Sequence, residues 1–249
     1  MKVPLTVFDI HGFLAQFRKH HTTTSSLSYA FPPRTTIIGI IAAVLGYEKN
    51  DYYQLFNSEK CRIALQIKSK IKHITQTLNY LMTKQININT LRGKGRRTQI
   101  HTDFILADSS NLSDLSYRIF FSHEDIAIQK KLTEHIMNQR FNYPPSLGPA
   151  NALAELEYNN FTEAEIFKPE GKLEVHTIIP VSIIKTIQPQ SDTRVYIEEL
   201  VPADFNPDRT LRRTETYIYE GTGKKINVIL TSEAFRCKIS EGEVVGVFM

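Results

Sequence analysis

Three groups of side chains in this sequence have residue types and spacing suited to chemistry. The first is Phe17-Arg18-Lys19-His20-His21, followed by Tyr29-Ala30-Phe31-Pro32-Pro33-Arg34. Cations interleaved with aromatic rings suit an unpaired RNA strand: Lys and Arg neutralise phosphates, while rings and guanidinium planes stack on splayed bases. Phe17, Arg18, Lys19, His20, His21, Tyr29 and Arg34 are therefore candidate RNA contacts, and the helix start expected after Arg34 could receive a phosphate. The competing reading is a packed loop with Phe17, Tyr29 and Phe31 in the core. The second group is Lys68, Lys70 and Lys72, on one parity of an alternating run. Such a face could meet phosphates or simply protect a sheet edge. The third is Arg92-Gly93-Lys94-Gly95-Arg96-Arg97, four cations spaced by two glycines. It reads as a mobile finger laid over an RNA backbone, or as a solvated loop.

Catalysis is a separate question. Metal-independent RNA cleavage must activate a 2′-hydroxyl, stabilise the phosphorane and protonate a leaving oxygen, and His, Lys and Tyr are the usual tools. Lys19, His20, His21, Tyr29 and Tyr47 could supply them, yet a His-His pair in a basic loop is more often binding or structural. There is no HExxH, GxSxG or Walker A pattern, and no carboxylate cluster in the basic segments to hold metal ions. No metal or cofactor is expected.

The charge distribution supports a polyanion partner. The 249 residues carry a net +4, but residues 1–102 hold 15 Lys/Arg against 4 Asp/Glu, and residues 103–249 hold 15 against 22. No acidic residue occurs from Ile10 to Tyr47 or from Lys60 to Thr102. A surface kept only for solubility intersperses both signs. No apolar run is long enough for a membrane span, and the N-terminus lacks a signal-peptide pattern. Cys61 and Cys237 suggest no disulfide framework, so a cytoplasmic protein with inert thiols is expected.

The elements that must position these groups follow from periodicity. Val3 to Ile10 reads as a strand, Phe13 to Pro33 as an irregular loop, and Thr35 to Gly46 as a buried helix with a Thr cap and Gly46 at its C-terminus. Cys61 to Thr75 alternates as one half-buried strand with a basic outer face. Lys84 to Ile100 reads as the tip of a long hairpin, Thr98 to Ala107 and Tyr117 to Ser122 as strands, and Glu124 to Arg140 as an amphipathic helix. That order suits a ferredoxin-like domain. Beyond the turn-rich Asn142 to Pro149 come strand-like runs at Leu173–Ile179, Arg194–Leu200, Thr214–Tyr219, Ile226–Leu230 and Val244–Phe248. Glu220-Gly221-Thr222-Gly223-Lys224 reads as a tight hairpin turn.

The strand ending Asp9-Ile10-His11-Gly12, the loop Ala15-Gln16-Phe17-Arg18, the stretch from Ser28 through Arg34 to Gly46, and Pro145-Ser146-Leu147-Gly148 together resemble the fifth CRISPR-associated protein family. These are RAMP-type subunits of type I Cascade complexes, and Asn79-Tyr80-Leu81 is similar to the I-B-like branch. The resemblance implies an α+β fold. A ferredoxin-like, RRM-like domain over 1–145 would carry an inserted basic thumb hairpin at about 76–102, and a small β-rich domain would cover 146–249. It implies a subunit that grips the 5′ handle of the crRNA beside the backbone and large subunits, with contact to target DNA near the flanking motif left open. One branch of the family cleaves precursor RNA with a Tyr, Lys and His set. Here Tyr47 lies roughly where that tyrosine would be, but Lys19-His20 and Lys72-His73 sit elsewhere in the pattern. The resemblance therefore implies a binder, with Tyr47 and His20 as catalytic candidates only under the alternative of a metal-independent endoribonuclease.

Overall fold

A computed structural model describes residues 1–81, 86–95, 97–109, 114–188, 190–191 and 193–249. β1 (Lys2–Gly12) opens the chain, and β2 (Phe17–Arg18) pairs with β3 (Ser28–Tyr29) in the stretch expected to be irregular. Next come α1 (Arg34–Leu45), β4 (Cys61–Ile67), β5 (Ile71–Leu81), the helical turn α2 (Ile88–Leu91), β6 (Arg97–Ala107), β7 (Leu115–His123), α3 (Ile126–Met137) and β8 (Glu155–Phe167). The remainder is strand-rich: β9 (Lys172–Val175), β10 (Ile179–Pro180), β11 (Ile184–Ile187), β12 (Val195–Phe205), β13 (Leu211–Glu220), β14 (Ile226–Leu230), β15 (Ala234–Ile239) and β16 (Gly242–Gly246).

The main sheet runs β16-β15-β8-β1-β7-β4 with every neighbour antiparallel. α1 links β1 to β4 and α3 links β7 to β8. Both helices pack on one face, where Phe8, Ile10, Ile63, Leu65 and Phe121 meet Ile41, Leu132 and Ile136. The other face carries Leu5, Val7, Phe120, Ala164 and Phe235. β8 lies beside β1, so the sheet draws strands from both sides of residue 145. β9 to β14 make two three-stranded sheets, β10-β13-β12 and β11-β14-β9.

Local chemistry explains where expectation and structure part. α1 starts after Pro33 with no side-chain cap, so no Thr closes it; its far end is as expected, with Gly46 left-handed at φ +80 and Tyr47 N–H donating to Ala42 O at 2.9 Å. The run Cys61 to Thr75 is two strands. The Lys68 and Ser69 N–H groups turn to Ser116 O, and the Ile71 N–H to Gly221 O at 2.9 Å, which takes the chain out of the main sheet. β8 is not evident from the sequence because Glu155, Glu157, Glu163 and Glu165 weaken its strand signature, and a bulge at its Asn159, opposite the step from Val7 to Phe8 in β1, breaks the register. The Glu220–Lys224 turn closes no hairpin: β13 and β14 belong to different sheets, and the Glu220 carboxylate accepts the N–H groups of Thr222 and Lys224. Among the described residues no helix is long and apolar enough to cross a membrane.

Candidate nucleic-acid interface

β5 and β6 pair along eleven residues each, from Ile71↔Ala107 to Leu81↔Arg97. At about 3.4 Å per residue this ribbon reaches about 35 Å. β5 is mostly exposed, whereas β6 is part-buried, with Thr102 and Ile105 buried, and the ribbon is longer at its root than the hairpin expected from about residue 76. In the described part of the tip, Asn87 caps α2 by accepting the Thr90 N–H at 2.9 Å, and Gly93 takes φ +74. Arg92 and Lys94 are exposed there beside exposed Ile88 and Leu91, and Arg97 starts the returning strand. Arg96 lies outside the described residues.

The basic N-terminal loop docks on the free edge of β6. Ala15 and Ile105 exchange backbone hydrogen bonds at 2.9 and 2.8 Å, while Ser26 N–H donates to His101 O and Asp103 N–H to Ser26 O, both at 2.9 Å. Gly148 allows this docking, since a Cβ there would stand 1.9 Å from Gln16 O, and its φ is +113. Gln16 N–H donates to Leu147 O at 2.9 Å, so Pro145 to Gly148 is the seat of the loop. Arg18, His20 and His21 are exposed on it.

The other sequence candidates in this stretch are internal, which corrects the expectation for them. Phe17 and Tyr29 are buried, Phe17 edge-on to Tyr117 at 6.0 Å, and neither offers a face for stacking. The Tyr29 hydroxyl donates to Leu200 O at 2.6 Å, which leaves its oxygen to accept from His20 Nδ1 at 3.1 Å. Burial, and then Glu198, raise the Tyr29 pKa to about 12; desolvation, and then His21, lower that of His20. Lys19 is drawn inward onto Glu198 and over the Tyr29 ring. Arg34 is completely buried: it donates to Asp204 Oδ1 at 2.7 Å and to the carbonyls of Phe56 and Cys61 at 3.0 Å each. It ties α1 to β12 and cannot reach a phosphate. Lys68 pairs with Glu241 at 2.5 Å, and Glu241 also pairs with Arg118, itself held bidentately by Asp9 at 2.6 Å. Lys70 pairs with Asp108. These two lysines fix the thumb root, whereas Lys72 remains exposed.

Sequence reasoning missed the cleft at that root. About 450 Å³ in volume, it lies between β5 and the ends of β12 and β13 and is lined by Lys70, Lys72, His73, Arg194, Tyr196 and Tyr219. Arg194 and Tyr196 sit in an acidic half of the sequence, where nothing local marks them. A larger cleft of about 620 Å³ beside His11 is lined by Glu155 and Glu157, whose charges repel phosphate. Tyr47, half-buried, meets Phe56 edge-on at 5.7 Å. Among the described residues no cluster of His, Cys, Asp and Glu could hold a metal ion.

A family profile described as CRISPR-associated protein (Cas_Cas5) matches residues 6–138, more than half of the chain. The chain belongs to the Cas5 family. The match spans the docked loop, α1, the thumb and α3, which include the elements of the candidate interface. Among solved structures, a CRISPR protein from Archaeoglobus fulgidus is 16% identical, with 99% of each chain covered and a TM-score of 0.51, and so shares the fold. A chain of a CRISPR RNA-guided surveillance complex is 12% identical over 90% of this chain and 91% of that one, with a TM-score of 0.48. No curated protein sequence matches.

Proposed function

We propose that this Cas5 chain is a non-catalytic RNA-binding subunit of a type I Cascade complex that grips the 5′ handle of crRNA and caps the assembly beside the backbone and large subunits. The observation that carries this reading is the projecting thumb. A two-stranded ribbon is marginal by itself in water, and beyond the docked loop the distal part of this one is largely exposed, open to cover by a ligand. Its exposed Lys72, Arg92, Lys94 and Arg97 lie in a stretch with no acidic residue, and its root adjoins the loop bearing Arg18, His20 and His21. The order β8-β1-β7-β4, with α1 and α3 as crossovers on one face, supports the ferredoxin-like reading of the core. Against cleavage stand the packing of Tyr47 on Phe56 and the bond tying His20 to Tyr29.

The test incubates the purified protein in EDTA with end-labelled repeat RNA and with mature 5′-handle RNA, followed by native and denaturing gels. A shift of the handle RNA without a new fragment is expected. A discrete cut near the base of the repeat would replace this reading with metal-independent endoribonuclease activity, to be pursued through Tyr47 and His20.

A further inference from the structure

We propose that the cleft at the thumb root is a one-nucleotide pocket for single-stranded RNA, in which Tyr196 stacks on the base and Lys72 and Arg194 hold its phosphate. This rests on the RNA-binding reading above and extends the site to β12, in the half of the chain whose net charge is negative.

The pocket has the right size and charge. Its volume of about 450 Å³ falls in the small-ligand range of about 300–1,000 Å³ and suits one extruded nucleotide rather than a duplex. Among the described residues three cations line it, Lys70, Lys72 and Arg194, against one carboxylate, Asp108, which Lys70 already engages. Two described acids close by, Glu198 and Glu220, are spent on internal bonds. Glu198 takes Lys19 and the Ala30 N–H, while Glu220 accepts the N–H groups of Arg194, Thr222 and Lys224. Lys72 and Arg194 are exposed and, although their charges reach Asp108, Lys70 holds its hydrogen bond, so both can face a phosphate.

The stacking platform is prepared as well. Tyr196 lies near-parallel to buried Tyr219, with centroids 5.4 Å apart and planes at 24°, yet keeps 45% of its surface exposed. Gly221 makes room for the ring, since a Cβ there would press on Tyr196 Cε2 at 3.0 Å. An aromatic face backed by a second ring and rimmed by cations is how proteins hold unpaired bases without reading their sequence. The Ile71 N–H to Gly221 O bond joins this platform to the thumb, so a strand tracking the thumb would pass the pocket mouth.

The same chemistry could meet a nucleotide within a strand or a free one, so the test has two arms: a fluorescein-labelled oligoadenylate by anisotropy, and adenosine monophosphate by calorimetry. Tyr196→Ala should weaken the strand roughly 5- to 150-fold, the range for loss of one base–aromatic stack, while Tyr196→Phe retains affinity. Arg194→Gln should weaken binding and flatten its salt dependence. Tyr196-dependent binding of the strand alone assigns the pocket to an in-chain nucleotide; Tyr196-dependent binding of the monophosphate assigns it to a free one. Should Tyr196→Ala and Arg194→Gln bind both probes like the unaltered protein, which itself binds RNA, the pocket is overturned and the RNA-binding reading stands. If the unaltered protein binds no RNA, both fall.

Discussion

The reassignment of Arg34 from the RNA surface to the core can be tested at its partner, Asp204. Asp204→Ala removes the carboxylate that accepts from Arg34 at 2.7 Å, from the Ser58 hydroxyl at 2.6 Å and from the Ser58 N–H at 3.2 Å. Arg34 keeps the backbone carbonyls of Phe56, Cys61 and Ala203, but its charge is left uncompensated with none of its surface exposed. Removing one partner of a buried ion pair costs about 3–5 kcal/mol, because the orphaned charge stays desolvated. With a urea m-value of about 3 kcal/mol/M for a domain of this size, the midpoint should fall by about 1–2 M. Asp204→Asn, which keeps an acceptor oxygen, should lose less. The companion measurement is RNA affinity in buffer where the variants remain folded, and there Arg34→Gln should bind like the unaltered protein. A midpoint unmoved by Asp204→Ala, or an Arg34→Gln protein of normal stability with weakened RNA binding, would refute the structural role.

Other outcomes follow from the same geometry. Replacing Arg92, Lys94 and Arg97 together by alanine should flatten the logarithmic salt dependence of RNA binding by about 2, at roughly 0.7 per phosphate contact on a single strand; an unchanged slope would remove the thumb tip from the interface. Gly148→Ala forces a Cβ to within 1.9 Å of Gln16 O at a φ of +113, so the loop must lift from β6. Thermal unfolding should shift down by more than a surface Gly→Ala change causes, and RNA affinity should fall as Arg18, His20 and His21 are displaced; an unperturbed melt would show that the seat is not needed. Hydrogen bonds from Arg118 and then Lys68 pull the Glu241 pKa from 4.5 to about 2. A depressed folded pKa stabilises above the unfolded value and is lost as pH falls. Glu241→Gln should therefore narrow the stability difference between neutral pH and pH about 2, most visibly below about 4.5, and an identical acid limb would contradict the pairing.

Much of the candidate site could be read from the chain, because its signals are local. The apolar run at Ile37–Leu45 closed by Gly46, the alternation from Cys61 that marks β4, and the cations around Gly93 and Gly95 each depend on neighbours a few residues away. The stretch from Ser28 to Gly46 and the Pro145–Gly148 motif pointed to the family, although their physical role emerged only in three dimensions: Gly148 is where two backbones nearly touch.

Legible from the sequence alone were the basic half, the buried first helix, the returning strand up to Ala107 and the resemblance to the family. Only the tertiary structure decided which cations remain available. Arg34, Lys19 and Lys68 look alike in a one-dimensional charge count, but Asp204, Glu198 and Glu241, all from the acidic half, fold back and neutralise them. The same folding brings Arg194 and Tyr196 to the thumb root. The physical reason is sequence distance. An ion pair between residues more than 150 positions apart, such as Arg34 with Asp204, leaves no periodic trace in either segment, and burial converts a residue that looks like a ligand contact into one that holds the scaffold together.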